Sequence, residues 1–285
     1  MIAARDLESA VYGAEELEET AKLLVLLEGR QKRILTQDRV DELVQTFGSA
    51  NSSPSNQMDY LMSSQSASAP AKKLAFIHTV SGLVSEFEGL AKEHLPDWKP
   101  FAILDESLLR NTIERGALSD LTKRRLATYV WSAVDAGADA IVVTCSTLGP
   151  AVDAITPLCP VPLFRIDEGM AKAAVEKGNR IGVLATLCTT LVPTVDLLKR
   201  LAAEGGKDVV IDDVLVQGAF QLLADGDVEA HDAQIRQALE ELSQRVDVVV
   251  FAQASMARAV RGTAHSIPVL TSPLLGVQKV KRRLE

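Results

Sequence analysis

The chain has 285 residues, enough for two compact units, and its 47% hydrophobic and 24% charged residues are the proportions of a water-soluble globular protein. Its net charge of −8 excludes a general nucleic-acid binder, and the basic run KVKRRLE at 279–285 reads as a solvated helix end. Cys145, Cys159 and Cys188 are too few for a disulfide framework and lack zinc-ligand spacing. They point to a reducing, cytoplasmic compartment. No apolar run reaches the roughly 18–20 residues of a membrane span, and MIAARDLESA lacks the apolar core of a signal peptide.

Residues 6–30 place Val11, Ala14, Leu17, Ala21, Leu24 and Leu27 on one helical face, with acids early and bases late as the helix dipole favours. Thr36 caps a second helix that stops at Gly48. Residues 1–48 therefore read as a helical extension too small for a core of its own. In 49–72, eight of 24 positions are serine, the composition of a flexible linker.

From Lys73 onward, short apolar runs alternate with amphipathic stretches. The pattern predicts strands at 74–79, 101–104, 140–145, 161–165, 181–186, 211–216, 248–252 and 268–271. It predicts helices near 83–93, 119–136, 166–177, 190–203, 218–224, 229–245 and 274–284. Such alternation implies parallel sheets covered by helices on both faces. The landmarks also repeat. AIVVTC ends at Cys145 and VVVFAQ at Gln253, 108 positions later, while Thr79 and Thr186 lie 107 apart and Pro162 and Pro268 lie 106 apart. The expected fold is α/β, two tandem Rossmann-like parallel-sheet halves related by pseudo-twofold symmetry. The first half is 73–178 and the second 179–285, with terminal elements partly exchanged.

In parallel sheets ligands bind outside the carboxyl ends of the strands, where Thr79, Cys145, Thr186 and Gln253 all fall. Cys145 precedes Ser146, Thr147, Leu148, Gly149 and Pro150, a strand-to-helix turn whose free N–H groups favour a thiolate or a bound carboxylate. Locally it fits either a buried structural cysteine or an activated thiol; a polar residue at the repeat position favours the second. Thr79, Thr186, Thr189 and Thr190 offer hydroxyls that can hold a carboxylate or an enediolate, or cap the following helices. His78 reads as a packed or capping residue, while His94, His231 and His265 carry no functional signal. Cys188 reads as small filler or a spare thiol near the cleft, and Cys159, in PLCPVP, as inert. Asp167 and Glu168 read as first-turn helix acids.

With VVTCSTLGPA around Cys145, GVLATLCTT around Thr186, FAQASMARA around Gln253 and IPVLTSP near the end, residues 73–285 resemble the aspartate/glutamate/hydantoin racemase superfamily. The resemblance implies two Rossmann-like halves with the site in the cleft. It also implies cofactor-independent chemistry in which one cysteine removes an α-proton and a second returns it. Cys145 matches the first cysteine; Gln253 stands where the second belongs, and an amide does not exchange protons at neutral pH.

The expected function is therefore that of an isomerase or racemase-type enzyme with one thiol, acting on a small carboxylic or amino acid in amino-acid metabolism. Its alternatives are a one-cysteine decarboxylase or lyase like the arylmalonate decarboxylases, and a non-catalytic carboxylate-binding protein. Maleate isomerases, which use one cysteine as nucleophile and another as acid, mark the role Cys188 would take if it faced the cleft. Cys145 and Gln253 are the expected catalytic pair. Thr79, Ser146, Thr147, Thr186, Thr189, Thr190 and Ser255 are the expected substrate ligands, with no metal and a homo-oligomer as the expected assembly. Residues 6–48 separately resemble the C-terminal tail of class II aldolase/adducin proteins through AVYGAEELEETAKLLVLLEGR and LTQDRVDELVQTFG. The zinc-binding histidines of that family lie upstream of the matched tail, so no aldolase activity is implied. A fusion of neighbouring reading frames, or a start placed too early, would account for that tail, with Met58 then the start of the racemase-like protein.

Overall fold

The computed structural model describes residues 71–285. The helical extension expected at 1–48, and all but the last two residues of the linker expected at 49–72, lie outside the described residues. Lys72 already belongs to the first strand.

Eight strands form two sheets. β1 (Lys72–His78), β2 (Trp98–Leu104), β3 (Ala140–Val143) and β4 (Leu163–Arg165) make the first, in the order β2-β1-β3-β4. β5 (Arg180–Ala185), β6 (Val210–Leu215), β7 (Val248–Phe251) and β8 (Val269–Leu270) make the second, in the order β6-β5-β7-β8. All neighbouring pairs are parallel. The registers repeat as well: Leu74 lies opposite Ala140 in the first sheet and Ile181 opposite Val248 in the second. Every residue of β3 and β7 is buried, which is why these strands read as unbroken apolar runs.

The helices are α1 (Val84–His94), α2 (Glu106–Arg115), α3 (Asp120–Asp135), α4 (Gly149–Ile155), α5 (Glu168–Lys177), α6 (Cys188–Glu204), α7 (Ala219–Ala224), α8 (Val228–Ser243) and α9 (Ser272–Leu284). Because side chains alternate across a strand, each sheet has two cores. Ala75, Ile77, Ile141 and Val143 face Leu108 of α2, Leu126 and Val130 of α3 and Val152 of α4. Leu74, Phe76, Ala140 and Val142 face Phe87 of α1 and Val277 and Val280 of α9. In the second sheet Ile181, Val183, Val248 and Val250 meet Met170 and Ala174 of α5 and Leu197 and Leu198 of α6. Its other face meets Ile235, Leu239 and Leu242 of α8.

The helix after β4 thus packs on the second sheet, and the helix after β8 packs on the first. The two exchanged helices cross at backbone contact. A Cβ on Gly169 of α5 would stand 2.3 Å from the Leu275 carbonyl oxygen, and one on Gly276 of α9 would stand 2.2 Å from that of Ile166. Only glycine fits either position without a backbone shift.

Two helices, α2 and α4, were not expected from the periodicity, though their ends are marked. The Asp105 side chain caps α2 by accepting the Ser107 N–H (2.9 Å), and Gly116 closes the helix. Few apolar residues in ESLLRNTIER obscure its period. In α4, Gly149 and Pro150 at the start argue against a helix by propensity, although Pro is well tolerated in a first turn.

The crossing generates a prediction. Gly276→Ala should lower the unfolding free energy by about 1–3 kcal/mol through overpacking, read from urea denaturation. An unchanged midpoint would show that α9 can lift off without cost.

Candidate active site

The carboxyl ends of β1 and β3 in one half, and the segment after β7 in the other, open onto one cavity of about 520 Å³. Thr79, Cys145, Ser146, Thr147, Thr190, Gln253 and Ser255 all line it. Two expected ligands do not. Thr186 holds Gln253 from behind, and Thr189, in the first turn of α6, lies off the cavity wall with its hydroxyl oxygen buried and unbonded.

Cys145 leaves β3 in extended conformation and is followed by a single 3-10 turn, Ser146–Leu148, that runs into α4. Burial pushes its thiol above the ordinary cysteine value. Hydrogen bonding from the Thr79 hydroxyl, the Leu148 and Thr147 N–H groups and the Thr147 hydroxyl works in the opposite direction and only partly offsets it. Burial favours the neutral thiol, while the surrounding donors are arranged to receive the charge of its thiolate.

The turn is supported from beneath. Arg165, at the end of β4 and 5% exposed, donates from Nε and Nη2 to both Asp167 carboxylate oxygens (2.8 Å each) and from Nη1 to Asp153 (2.6 Å). Its guanidinium fills the space next to Gly149, where a Cβ would stand 2.2 Å from Nη2. Asp167, read from sequence as a first-turn acid, is instead fully buried as the partner of this cation. Glu168 does sit in the first turn of α5 and pairs with Lys279 of α9.

The second half repeats this geometry with different chemistry. Gln253 follows β7 as Cys145 follows β3, and it is bound twice to Thr186 at the end of β5. The Thr186 N–H donates to Oε1 (2.8 Å) and Nε2 donates to Thr186 Oγ1 (2.5 Å). Thr79 and Thr186 are therefore equivalent partners, one of a thiol and one of an amide. A hydroxyl pair joins the halves at the cavity floor, Thr147 Oγ1 to Thr190 Oγ1 at 2.7 Å, both residues buried. The 3-10 segment carrying Ser255 (Ala254–Val260) is clamped to α8 by Arg258, which donates to both oxygens of Asp232 (2.9 and 3.0 Å). His231, assigned no signal from sequence, is fully buried there with Nδ1 2.7 Å from Asp232.

Cys188 is exposed and does not line the cavity, so it supplies no second thiol there. Cys159 packs at the margin of the first core. The rest of the wall was not read from sequence. It includes Glu106, Leu109, Arg110, Ile113 and Glu114 on α2, Phe220, Leu223 and Ala224 on α7, and Leu83 and Leu187 beside the strand ends. The Asp105 and Gly116 capping signals could have located α2, whereas nothing local marks its residues as cavity wall. Among the described residues no group of three or more His, Cys, Asp or Glu is placed to hold a metal ion, and no helix is long and apolar enough to cross a membrane.

Two parallel α/β halves meet at a shared cavity, with a thiol at the strand ends of one half and an amide at the equivalent place in the other. Residues 79–280 match the Asp/Glu/hydantoin racemase family model, and the chain belongs to that family. It is an enzyme of the racemase class. Among solved structures, a Yersinia pestis protein provisionally classed as an Asp/Glu racemase shares the fold with a TM-score of 0.60 at 19% identity, covering 75% of this chain and 100% of its own. Allantoin racemase from Klebsiella pneumoniae aligns with a TM-score of 0.54 at 17% identity over 75% of this chain and 87% of that one. Glutamate racemase from Francisella tularensis, solved with D-glutamate, aligns with a TM-score of 0.59 at 12% identity over 75% and 81%. No curated protein matches the sequence.

One neighbour of the site titrates in an accessible range. His78, 1% exposed at the end of β1, is stacked on Phe76 and tilted against Phe87, with Nδ1 2.9 Å from Thr144 Oγ1. Desolvation lowers its pKa from 6.5 to about 4. The unfolded chain therefore binds the extra proton first, so stability is complete above pH 6.5 and falls as the pH drops toward 4. Between pH 7 and pH 5 this group should remove about 2 kcal/mol. Denaturant titrations across that range should show the slope, and His78→Asn should flatten it. An identical slope in the variant would assign the pH dependence elsewhere.

Proposed function

We propose that this protein is a cofactor-independent enzyme that moves a proton to and from the α-carbon of a small carboxylate on one face only, through Cys145. The observation that carries the reading is the unequal pair at the strand ends. Cys145 has hydroxyl and N–H donors about its sulfur, while Gln253 at the equivalent place carries no group that ionises near neutral pH and is tied to Thr186.

In the isomerase direction the Cys145 thiolate takes the Cα proton, and the C–H electron pair moves into the carboxylate as an enediolate forms. Hydroxyls of Thr79, Thr147, Thr190 and Ser255 are the available donors to that charge. Return of the proton from Cys145 restores the starting configuration. Inversion needs a proton from the Gln253 side, and water is the donor available to that face.

The raised thiol pKa favours a second reaction on the same site. A protonated Cys145 is prepared to donate rather than to abstract. If a carboxyl group on the α-carbon leaves as carbon dioxide, the C–C electron pair passes into the enediolate and Cys145 protonates the carbon. This decarboxylase or lyase reaction needs no second acid or base, which suits the amide at 253.

Incubation in deuterium oxide with small amino, hydroxy and malonic acids tests both reactions, followed by Cα exchange, optical rotation and carbon dioxide release. Exchange or decarboxylation without rapid inversion is expected, reduced about 10²–10⁴-fold in Cys145→Ser. Gln253→Cys should raise the ratio of inversion to exchange. Full activity in Cys145→Ser would sink the one-thiol mechanism. Ligand binding without any of the three reactions would replace it with a binding role.

A further inference from the structure

The cavity wall away from the strand ends differs sharply from the polar floor. α2 contributes Leu109 and Ile113 and α7 contributes Phe220 and Leu223, all lining the cavity and none fully buried. The charged wall residues, Glu106, Arg110 and Glu114, are all exposed and all belong to α2. Arg110 is the single cation among them, and it stands four residues from a carboxylate on either side, where helical neighbours meet. Glu106 is itself engaged, accepting the Ser81 N–H at 3.1 Å. Inside this rim the floor offers hydroxyls, a thiol and an amide, with no ionised side chain lining it.

We infer that the substrate is a carboxylic acid whose α-carbon bears a bulky apolar group, aryl or branched alkyl, clamped between Leu109 and Ile113 on one side and Phe220 and Leu223 on the other. The inference rests on the proposed function for the orientation of the reacting carbon. A second carboxylate on the substituent, as in a four- or five-carbon dicarboxylic acid, would leave water without reaching a buried cation, an uncompensated cost. An apolar group of the same size gains by leaving water for this wall. The volume agrees: about 520 Å³ lies in the ~300–1,000 Å³ range of pockets that enclose drug-sized ligands. α7 comes from the second half and α2 from the first, so the clamp, like the floor, requires both. The four side chains are the specificity-determining residues of this assignment.

Phenylacetate and succinate are matched probes: both present a CH₂ next to a carboxylate, with a phenyl ring on one and a second carboxymethyl charge on the other. Calorimetric titration of the full chain at neutral pH should show phenylacetate bound at least about tenfold more tightly. Leu109 and Phe220 line the cavity from different helices, so Leu109→Ala and Phe220→Ala are independent tests. Each should weaken phenylacetate about fivefold or more and leave succinate within about twofold. Leu109→Arg should improve succinate. Equal or tighter binding of succinate, a preference unchanged in both alanine variants, or no phenylacetate binding at millimolar concentration would overturn the inference.

The same probes in deuterium oxide separate it from the one-thiol reading. If the aryl preference holds while Cα exchange persists in Cys145→Ser, the clamp stands and the thiol mechanism falls. If succinate exchanges through Cys145 in preference to phenylacetate, the mechanism stands and the clamp falls.

Discussion

The crossing of α5 and α9 is the constraint on which the rest of the molecule depends. Each helix follows the last strand of one sheet and packs on the other, and the two meet where Gly169 and Gly276 bring backbone against backbone. Parallel sheets need cover on both faces, and here neither half supplies all of its own. The exchange makes the halves mutually dependent and sets the cleft between their strand ends. Arg200 of α6 reaching Asp153 of α4 (3.2 Å) and the Thr147–Thr190 hydroxyl pair extend the same coupling to the cavity floor.

Within that frame the two halves repeat one local arrangement with unlike chemistry. A threonine at the end of the first strand of each half partners the residue after the third: Thr79 with Cys145, Thr186 with Gln253. The amide uses one N–H and its carbonyl oxygen on Thr186, which fixes its orientation. The thiol keeps its proton because desolvation outweighs the surrounding donors. The scaffold thus presents a thiol on one side of the cavity and an amide on the other. Arg165, filling the space that Gly149 leaves free, holds the acidic side in place.

Much of this was legible in the chain. Buried parallel strands such as β3 and β7 announce themselves as unbroken apolar runs. All eight strands were recovered, with ends displaced by up to a few residues because a strand's last hydrogen bonds depend on its neighbours. The spacing of about 107 residues foretold two similar halves and paired Thr79 with Thr186 and Cys145 with Gln253 at equivalent strand ends. Family membership follows from the same motifs. α2 escaped because its period is diluted by polar residues, whereas α4 was signalled by the turn after Cys145 and only its extent, opening on Gly149 and Pro150, was hidden from the periodicity. Thr189 was grouped with its neighbours by proximity in sequence, whereas a helical first turn sends adjacent side chains in different directions.

The sequence by itself determined which residues stand at strand ends and that one of two equivalent positions carries a thiol and the other an amide, because strand periodicity and duplication are local and repeated facts. Only the tertiary structure decided what faces them. The pairing of Gln253 with Thr186, the burial that raises the Cys145 thiol and the apolar wall from α2 and α7 all join residues distant along the chain. Their meeting depends on how the helices pack across the cleft, and no local pattern encodes that.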